Sequence, residues 1–489
     1  MSGIRKLASQ TAVYGLSTML GRLLNYLLVP LYTGILAEVA DYGVVGVMFS
    51  YASLFAVLFM FGLETAFFHF SQKSEEPDRV FSTAANFLIF TGFIWIILAR
   101  TFSQQIMDFV EYPTHPEYAV WFAIILTADA ITSIGFARLR QNEKPWTFAI
   151  IKFGNIFINI GLNVFFLVVC PYFASKGHMW AQDLVYSRNQ VSFIFIANVI
   201  ASLATFVMLL KTWKTIRLGI DIELLKRMLS YSYPLIFIGL AGMINETFDR
   251  ILLKKMLPDN IADHEVSIYS AFYKLSLVLT LFVQAFRFAV EPYFFKQAKQ
   301  LNPQHSYAYV MKYFVYAVTL IYLGTMAILP YIAPVFIQNP DYFADSRGMQ
   351  IVPILLAANL FLGIYYTLSV WYKVSEQTKI GSLPAFSGAA ITLILNLILI
   401  PKFGFVGSAY TTLITYIVMV LAGYLLSRKF YPIPYNLKLI LPVLLSCFFL
   451  GWMIQQMPSD LFGVFYRSVL FFVFFGGLYL AEKKSSVKI

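Results

Sequence analysis

Apolar stretches separated by short polar breaks run the length of the chain. Stretches of about 20 or more mostly apolar residues are long enough for a helix to cross roughly 30 Å of hydrocarbon. They fall at 11–34, 43–68, 81–106, 117–137, 146–170, 190–210, 231–253, 267–290, 308–330, 349–372, 380–400, 405–426, 437–455 and 462–481. This pattern predicts fourteen membrane-spanning helices with both termini on one side. No break is long enough to fold as a separate domain, and the one at 171–189 has room for a short interfacial helix at most. Within 211–229, Trp213, Ile216, Ile220, Leu224 and Met228 recur at helical spacing with Lys214, Arg217, Asp221 and Arg227 among them. That segment reads as an amphipathic helix on the membrane surface, broken or kinked near Gly219, joining two halves.

Composition agrees with the pattern. Hydrophobic residues make up 59% and charged residues 12%, against roughly 25% charged in soluble chains, so no water-facing surface of ordinary character can be built. The 48 Phe and 31 Tyr suit a large lipid-facing area with aromatic belts. The net charge of +11 is a topology signal and no nucleic-acid footprint, because the bases lie in short breaks between apolar runs. Lys and Arg on the terminal side outnumber those on the other side by roughly three to one, which predicts cytoplasmic termini. The first run is long, carries Arg22 and lacks a cleavage site, so a removed signal peptide is not expected. Cys170 and Cys447 form no CxxC pair, and neither a metal site nor a cofactor site is expected.

At one constant offset Tyr42 pairs with Tyr269, Leu54 with Leu281, Phe55 with Phe282, Glu64 with Glu291, Phe67 with Phe294 and Phe68 with Phe295. The second span thereby lies on the eighth, and the halves share orientation as parallel repeats. Ionisable groups within spans are costly, at least ~2.5 kcal/mol near the bilayer centre, and so tend to face a cavity or a partner. Thr11, Thr18, Arg22 and Asn25 share one face of the first span, and Gly43, Gly46, Ser50, Ser53 and Glu64 one face of the second. For the glycines and serines close helix packing is the simpler reading. In the fifth span, Lys152, Asn155, Asn159 and Asn163 form a stripe that exceeds packing needs and reads as a cavity wall. Asp129, midway along the fourth span, reads as a counter-ion for Arg22 or Lys152, or as a protonatable coupling site.

In the second half, Glu246 and Arg250 are four apart and placed to pair, with Asp249 beside them. Lys274, Gln284 and Glu291 share a face of the eighth span, with Arg287 four residues before Glu291. Arg22, Lys274 and Arg287 would face a central space from both halves and favour an anionic group such as a phosphate.

The stretch from Gly15 to Arg22 (GLSTMLGR), Pro30 to Thr33 (PLYT), Asp41 to Gly43 (DYG), Asp249 with Arg250, and the fourteen-span layout together resemble the Wzx-type oligosaccharide flippases. These form the polysaccharide transporter family of the multidrug/oligosaccharidyl-lipid/polysaccharide (MOP) superfamily. The resemblance implies an all-α, MATE-like membrane protein. Two pseudo-symmetric six-helix lobes, 1–210 and 230–430, would be joined by the 211–229 linker, with two further helices in 431–489. It also implies alternating access that carries an undecaprenyl-pyrophosphate-linked oligosaccharide across the bacterial inner membrane. The cargo would be an O-antigen, capsule or exopolysaccharide unit. Arg22 fits the family's pyrophosphate-holding base, and Asn25, Lys152, Asn155, Asn159, Lys274 and Arg287 extend that cavity by spacing alone. Glu64, Asp129, Asp249 and Glu291 stand as coupling or ion-pair candidates. The partners implied are the lipid-linked glycan, membrane lipid, a proton or sodium counter-ion and other glycan-assembly proteins, with no nucleic acid.

Two rivals stand beside this reading, the first of which shares the fold. A MATE-type drug or cation antiporter resembles its relatives in having a buried acid in the first helix, where this chain has Arg22. A lipid II flippase would want the same basic cavity. A membrane enzyme is not expected, because the outer breaks are short and hold no HxxH-like spacing. No GxxxxGK[ST] loop for ATP occurs either.

Overall fold

A computed structural model describes residues 13–21, 23–24, 26–298, 300, 302–375 and 377–486. Among these residues the structure is all-helical, and thirteen helices are long and apolar enough to cross a membrane. They coincide one for one with the second to fourteenth expected spans. The first expected span includes positions outside the described residues; its C-terminal end is α1, Leu28–Ile35. Contacts gather the chain into two compact units, 1–267 and 268–489.

In the first unit the helices are α2 (Val39–Phe59), α3 (Leu63–Lys73), α4 (Pro77–Thr101), α5 (Glu117–Gln141), α6 (Pro145–Val164), α7 (Gln190–Met208) and α8 (Ile222–Met256). The first turns of α9 (Asp259–Gln297) complete it. α5 is the central helix, with 72% of its apolar window buried. Leu63, Phe67, Phe81, Ala84, Ile134, Ala137 and Met228 close the apolar core around it. α2 and α3 are one span interrupted at Phe61 and Gly62, both in the left-handed region (φ 49° and 63°). Gly62 adopts that conformation without steric cost, and a side chain there would press on Ser232 of α8. The interruption re-aims the next turn, which carries Glu64.

α6 leaves regular geometry through a π-helical turn, Phe165–Val169. Pro171 follows directly and has no N–H to give to the carbonyl of Leu167, so a local change of register is expected there. The break at 171–189 holds a short helix, Met179–Ser187.

The 211–229 segment is broken around Gly219, as expected, but it forms no surface helix. A single turn, Leu210–Trp213, is followed by irregular chain, and α8 then runs unbroken from Ile222 into the seventh span. Gly219 at φ 124° breaks the helix, and Asp221 restarts it by accepting the Leu224 N–H at 3.0 Å. Trp213 points into the bundle. Its ring stacks on Phe81 and Phe206, and its Nε1–H donates to the Phe206 carbonyl at 2.9 Å. The apolar spacing read as a membrane-facing stripe is therefore a core-facing one.

The second unit contains the remainder of α9, then α10 (Pro303–Phe336), α11 (Arg347–Leu368), α12 (Leu383–Phe403), α13 (Phe405–Phe430), α14 (Leu437–Gln455) and α15 (Leu461–Ser486). α11 is its buried centre and packs along α13. Ser408 donates to Asn396 at 3.0 Å across α12 and α13, a hydrogen bond that holds two apolar helices in register. α14 and α15 lie on α10, where Gly451 meets the Tyr322 ring and Lys312 pairs with Glu482 at 2.7 Å.

Candidate functional site

The first unit holds a cavity of about 560 Å³ between α2, α3, α5, α6 and α7, with Thr18 also in its lining. Each helix supplies a stripe at steps of three and four: Phe49, Ser53, Ala56, Met60 and Glu64; Asp129, Ser133, Phe136 and Arg140; Lys152, Asn155 and Asn159; Asn198, Ser202 and Thr205. Such a stripe is what a helix shows to one neighbouring space. Phe49, Phe136 and Phe148 add aromatic faces to an otherwise hydroxyl- and amide-rich wall.

Four charged groups line this cavity, two acids and two bases, so its described lining is charge-balanced. Glu64 is tied to Arg140 in an ion pair, and the Arg140 guanidinium lies 4.9 Å from the centre of the Phe68 ring. Asp129 accepts the Ser202 hydroxyl at 2.8 Å. The Lys152 ammonium lies 4.2 Å from the centre of the Phe136 ring, a cation–π contact. Asp129 and Lys152 share the cavity without a direct salt bridge, and each still feels the opposite charge of the other across it. Ser202 gives the Asp129 carboxylate a neutral hydrogen-bond partner from α7, and Lys152 makes no salt bridge with a described residue while sharing the cavity with the Asp129 and Glu64 carboxylates.

The asparagine stripe is spent differently from its expected use. Asn155 donates to the Ala201 carbonyl at 3.1 Å and the Thr205 hydroxyl at 2.8 Å. Asn159 donates to Asn198 at 3.0 Å, and Asn163 donates back to the Asn159 side chain at 2.6 Å while accepting from Tyr32 at 3.0 Å. These amides clamp α6 to α7 and leave Lys152 as the member of the stripe that projects. Asn155 and Asn159 still border the cavity, with their donor groups occupied.

Arg22 and Asn25 lie outside the described residues. Lys274, Arg287 and Glu291 belong to the second unit. Lys274 is partly buried on α9. Arg287 lies 3.8 Å from Glu291 and 4.2 Å from the centre of the Tyr366 ring, and Glu291 also binds Lys373 at 2.5 Å. The void beside them is about 10 Å³, barely the room of one water. Arg287 thus shares the Glu291 carboxylate with Lys373 and lies against the Tyr366 ring, while its side chain keeps 38% exposure. Asp249 is buried against Arg250, Oδ1 to Nη1 3.1 Å, whereas Arg250 reaches Glu246 through the Glu246 carbonyl at 3.4 Å. The adjacent acid displaces the one four residues back.

Arg140, Asn198, Ser202 and Thr205 are cavity residues that the sequence reading passed over. Arg140 had the look of a loop base, yet it is a member of the α5 stripe. The α7 residues carry the same three-and-four spacing that drew attention to α6.

The sequence model of the polysaccharide biosynthesis protein family matches residues 7–298, more than half of the chain. An uncharacterized membrane protein of Methanocaldococcus jannaschii is 23% identical over 432 residues, covering 83% of this chain and 80% of its own length. Among solved structures, the lipid II flippase MurJ in an inward closed conformation is similar with a TM-score of 0.74 at 16% identity, over 97% of this chain and 99% of that one. An inward-facing multidrug resistance MATE family transporter of the MOP superfamily is similar with a TM-score of 0.65 at 12% identity, over 86% of this chain and 94% of that one. At such identities the likeness is one of fold, and it places the chain among multi-pass membrane proteins of MATE-like architecture. With the family's sequence pattern running through the whole cavity-bearing unit, the chain belongs to the polysaccharide biosynthesis protein family.

Proposed function

We propose that this protein is a flippase that moves an undecaprenyl-pyrophosphate-linked oligosaccharide from the inner to the outer leaflet of the bacterial inner membrane by alternating access. Its termini are cytoplasmic in this reading, as the loop charges favour. The observation that carries the proposal is the membrane-embedded Lys152, an ammonium with a ring beneath it and no carboxylate in contact, in a cavity walled by amides, hydroxyls and aromatic faces. A buried charge of this kind is expensive unless something compensates it, and a pyrophosphate supplied by the cargo does so. Family membership directs the choice of a glycan-bearing lipid. Asp129, held by a neutral hydroxyl, is the acid placed to exchange a proton or sodium ion during the cycle.

The two acids in the same cavity favour a second reading, a MATE-type cation antiporter. One experiment separates the two. The purified protein in proteoliposomes is given a fluorescent undecaprenyl-pyrophosphate glycan, and its exposure on each face is followed with an impermeant quencher, while ethidium exchange is followed in parallel. Lys152→Met and Arg22→Ala should each slow glycan flipping at least about tenfold, the loss of one charge-assisted phosphate contact, with the protein still folded. Unchanged flipping in both variants, or ethidium exchange in place of flipping, refutes the proposal.

A further inference from the structure

The second unit bears an open groove of about 580 Å³ where α10 begins and α13 ends. Asn302, Gln304 and His305 form one side, Tyr424 and Arg428 another, and the segment Pro432 to Tyr435 the third. The third side is held rigidly. Ile433 is buried in an apolar cluster with Phe294, Tyr307, Val370 and Trp371. Pro432 and Pro434 fix the backbone on either side of it.

Several hydrogen-bond donors border the groove. α10 is a 34-residue helix whose N-cap, Asn302, sits at φ 59° and gives no side-chain cap. Its first-turn N–H groups therefore present the positive end of the helix dipole to the groove. Arg428 makes no ion pair with any described residue, and no acid is among the lining residues. The Tyr435 hydroxyl is buried and has no hydrogen-bond partner, although its ring lies 6.4 Å from that of Tyr424. Burial pushes this phenol well above its ordinary range, so it stays an O–H donor. A buried hydroxyl left unpaired is costly, and groups of this kind call for an explanation.

We propose that this groove binds a phosphate group, held by Arg428, the α10 N-terminus, His305 and the Tyr435 hydroxyl. Its size, far above the ~30 Å³ share of one water, accommodates a headgroup. Lys429 and Lys438 flank it in sequence, on the side where the basic residues concentrate. Basic pockets between spans on that side suit anionic lipid headgroups. The two sources of the ligand are an anionic glycerophospholipid of that leaflet and free phosphate. The proposal is independent of which cargo the first unit's cavity takes.

The test uses the full-length purified protein in detergent, with native mass spectrometry for dioleoyl phosphatidylglycerol and thermal unfolding for inorganic phosphate. Wild type should bind in at least one arm. Arg428→Gln should weaken that binding about tenfold, and Tyr435→Phe several-fold while keeping the ring and the fold. Lipid retention that survives millimolar phosphate assigns the site to the headgroup, and a thermal shift with phosphate alone assigns it to the free ion. Equal behaviour of wild type, Arg428→Gln and Tyr435→Phe in both arms overturns the site.

Discussion

Replacing Asp263 by Asn tests how the start of α9 is fastened to the first unit. Lys254, near the end of α8, is 6% exposed, and its Nζ lies 3.0 Å from Asp263 Oδ2. Tyr112, between α4 and α5, donates to Asp263 Oδ1 at 2.6 Å and places its ring 4.8 Å from the ammonium. Burial first, and then the Asp263 carboxylate beside it, hold the Tyr112 phenol well above its usual range, so that it remains the donor at any working pH. Asp263→Asn keeps the shape and removes the charge, leaving Lys254 buried over a ring. Breaking a buried pair from one side costs about 3–5 kcal/mol. Asp263 is 22% exposed, so water softens the loss, and the lower end, about 3 kcal/mol, is expected. Lys254→Met removes the more deeply buried charge and leaves a carboxylate that still has Tyr112 and water, for about 2 kcal/mol. The double variant has no stranded charge and should lose only about 1–2 kcal/mol. Equilibrium unfolding in mixed detergent micelles, followed by circular dichroism, measures all three. A single-variant cost under about 1 kcal/mol, or a double variant that loses the sum of the two, would refute the reasoning.

Gly43→Ala should destabilise the same region by about 2 kcal/mol in that assay, because the added methyl meets the Asp263 backbone carbonyl, which cannot rotate away. Asp221 caps α8 through the Leu224 N–H, the main reason its carboxyl sits below the ordinary range, with Arg79 at 2.6 Å adding to it. A carboxyl lowered by folding contributes stability above its unfolded pKa, and that contribution is lost as pH falls through the folded value. Amide protection in 217–225, taken relative to the intrinsic exchange rate at each pH, should therefore be high at neutral pH and fall in acid, below the usual ~3.9 of aspartate, with that fall absent from Asp221→Asn. Asn159→Ala should cost about 1–2 kcal/mol by stranding its partners on α6 and α7. Lys152→Met should leave unfolding stability unchanged or raise it, since relief from burying the ammonium offsets the lost contact with the Phe136 ring and no salt bridge to a described residue is broken. A clear loss of stability in that variant would point to a structural role.

The spans were legible because lipid imposes one long apolar run per crossing, and no tertiary choice overrides that demand. The linker was not, because a stripe at helical spacing looks the same whether it faces lipid or core. The local signal that distinguishes the two cases was present. Gly219 reads as a break, and Asp221 two residues later is the cap that starts a new helix there. In the cavity, the stripe with Lys152 was legible as a polar face, while its partition was not. Whether Asn155 and Asn159 serve a ligand or a neighbour depends on α7 being adjacent with Thr205 and Asn198 at matching heights, and adjacency of helices is not written in either stripe alone.

The paired glutamates of the two halves carry this argument one step further. Glu64 binds Arg140, from the end of the fourth span, and Glu291 binds Lys373, from the end of the tenth. Each half thus uses the same device, an acid on its second helix neutralised by a base at the end of its fourth, each formed within its own unit. Asp249 likewise faces Arg250. Of the four acids that the sequence put forward, Asp129 is the one with no base in salt-bridge contact among the described residues, and it accepts the Ser202 hydroxyl. An acid already neutralised by a base must break that pair before it can exchange a cation, whereas one held by a hydroxyl can gain or lose a proton and keep its partner, because the hydroxyl can donate or accept. If the transport cycle is coupled to protons, Asp129→Asn should abolish the coupling, and Glu64→Gln should weaken the fold before it touches the coupling.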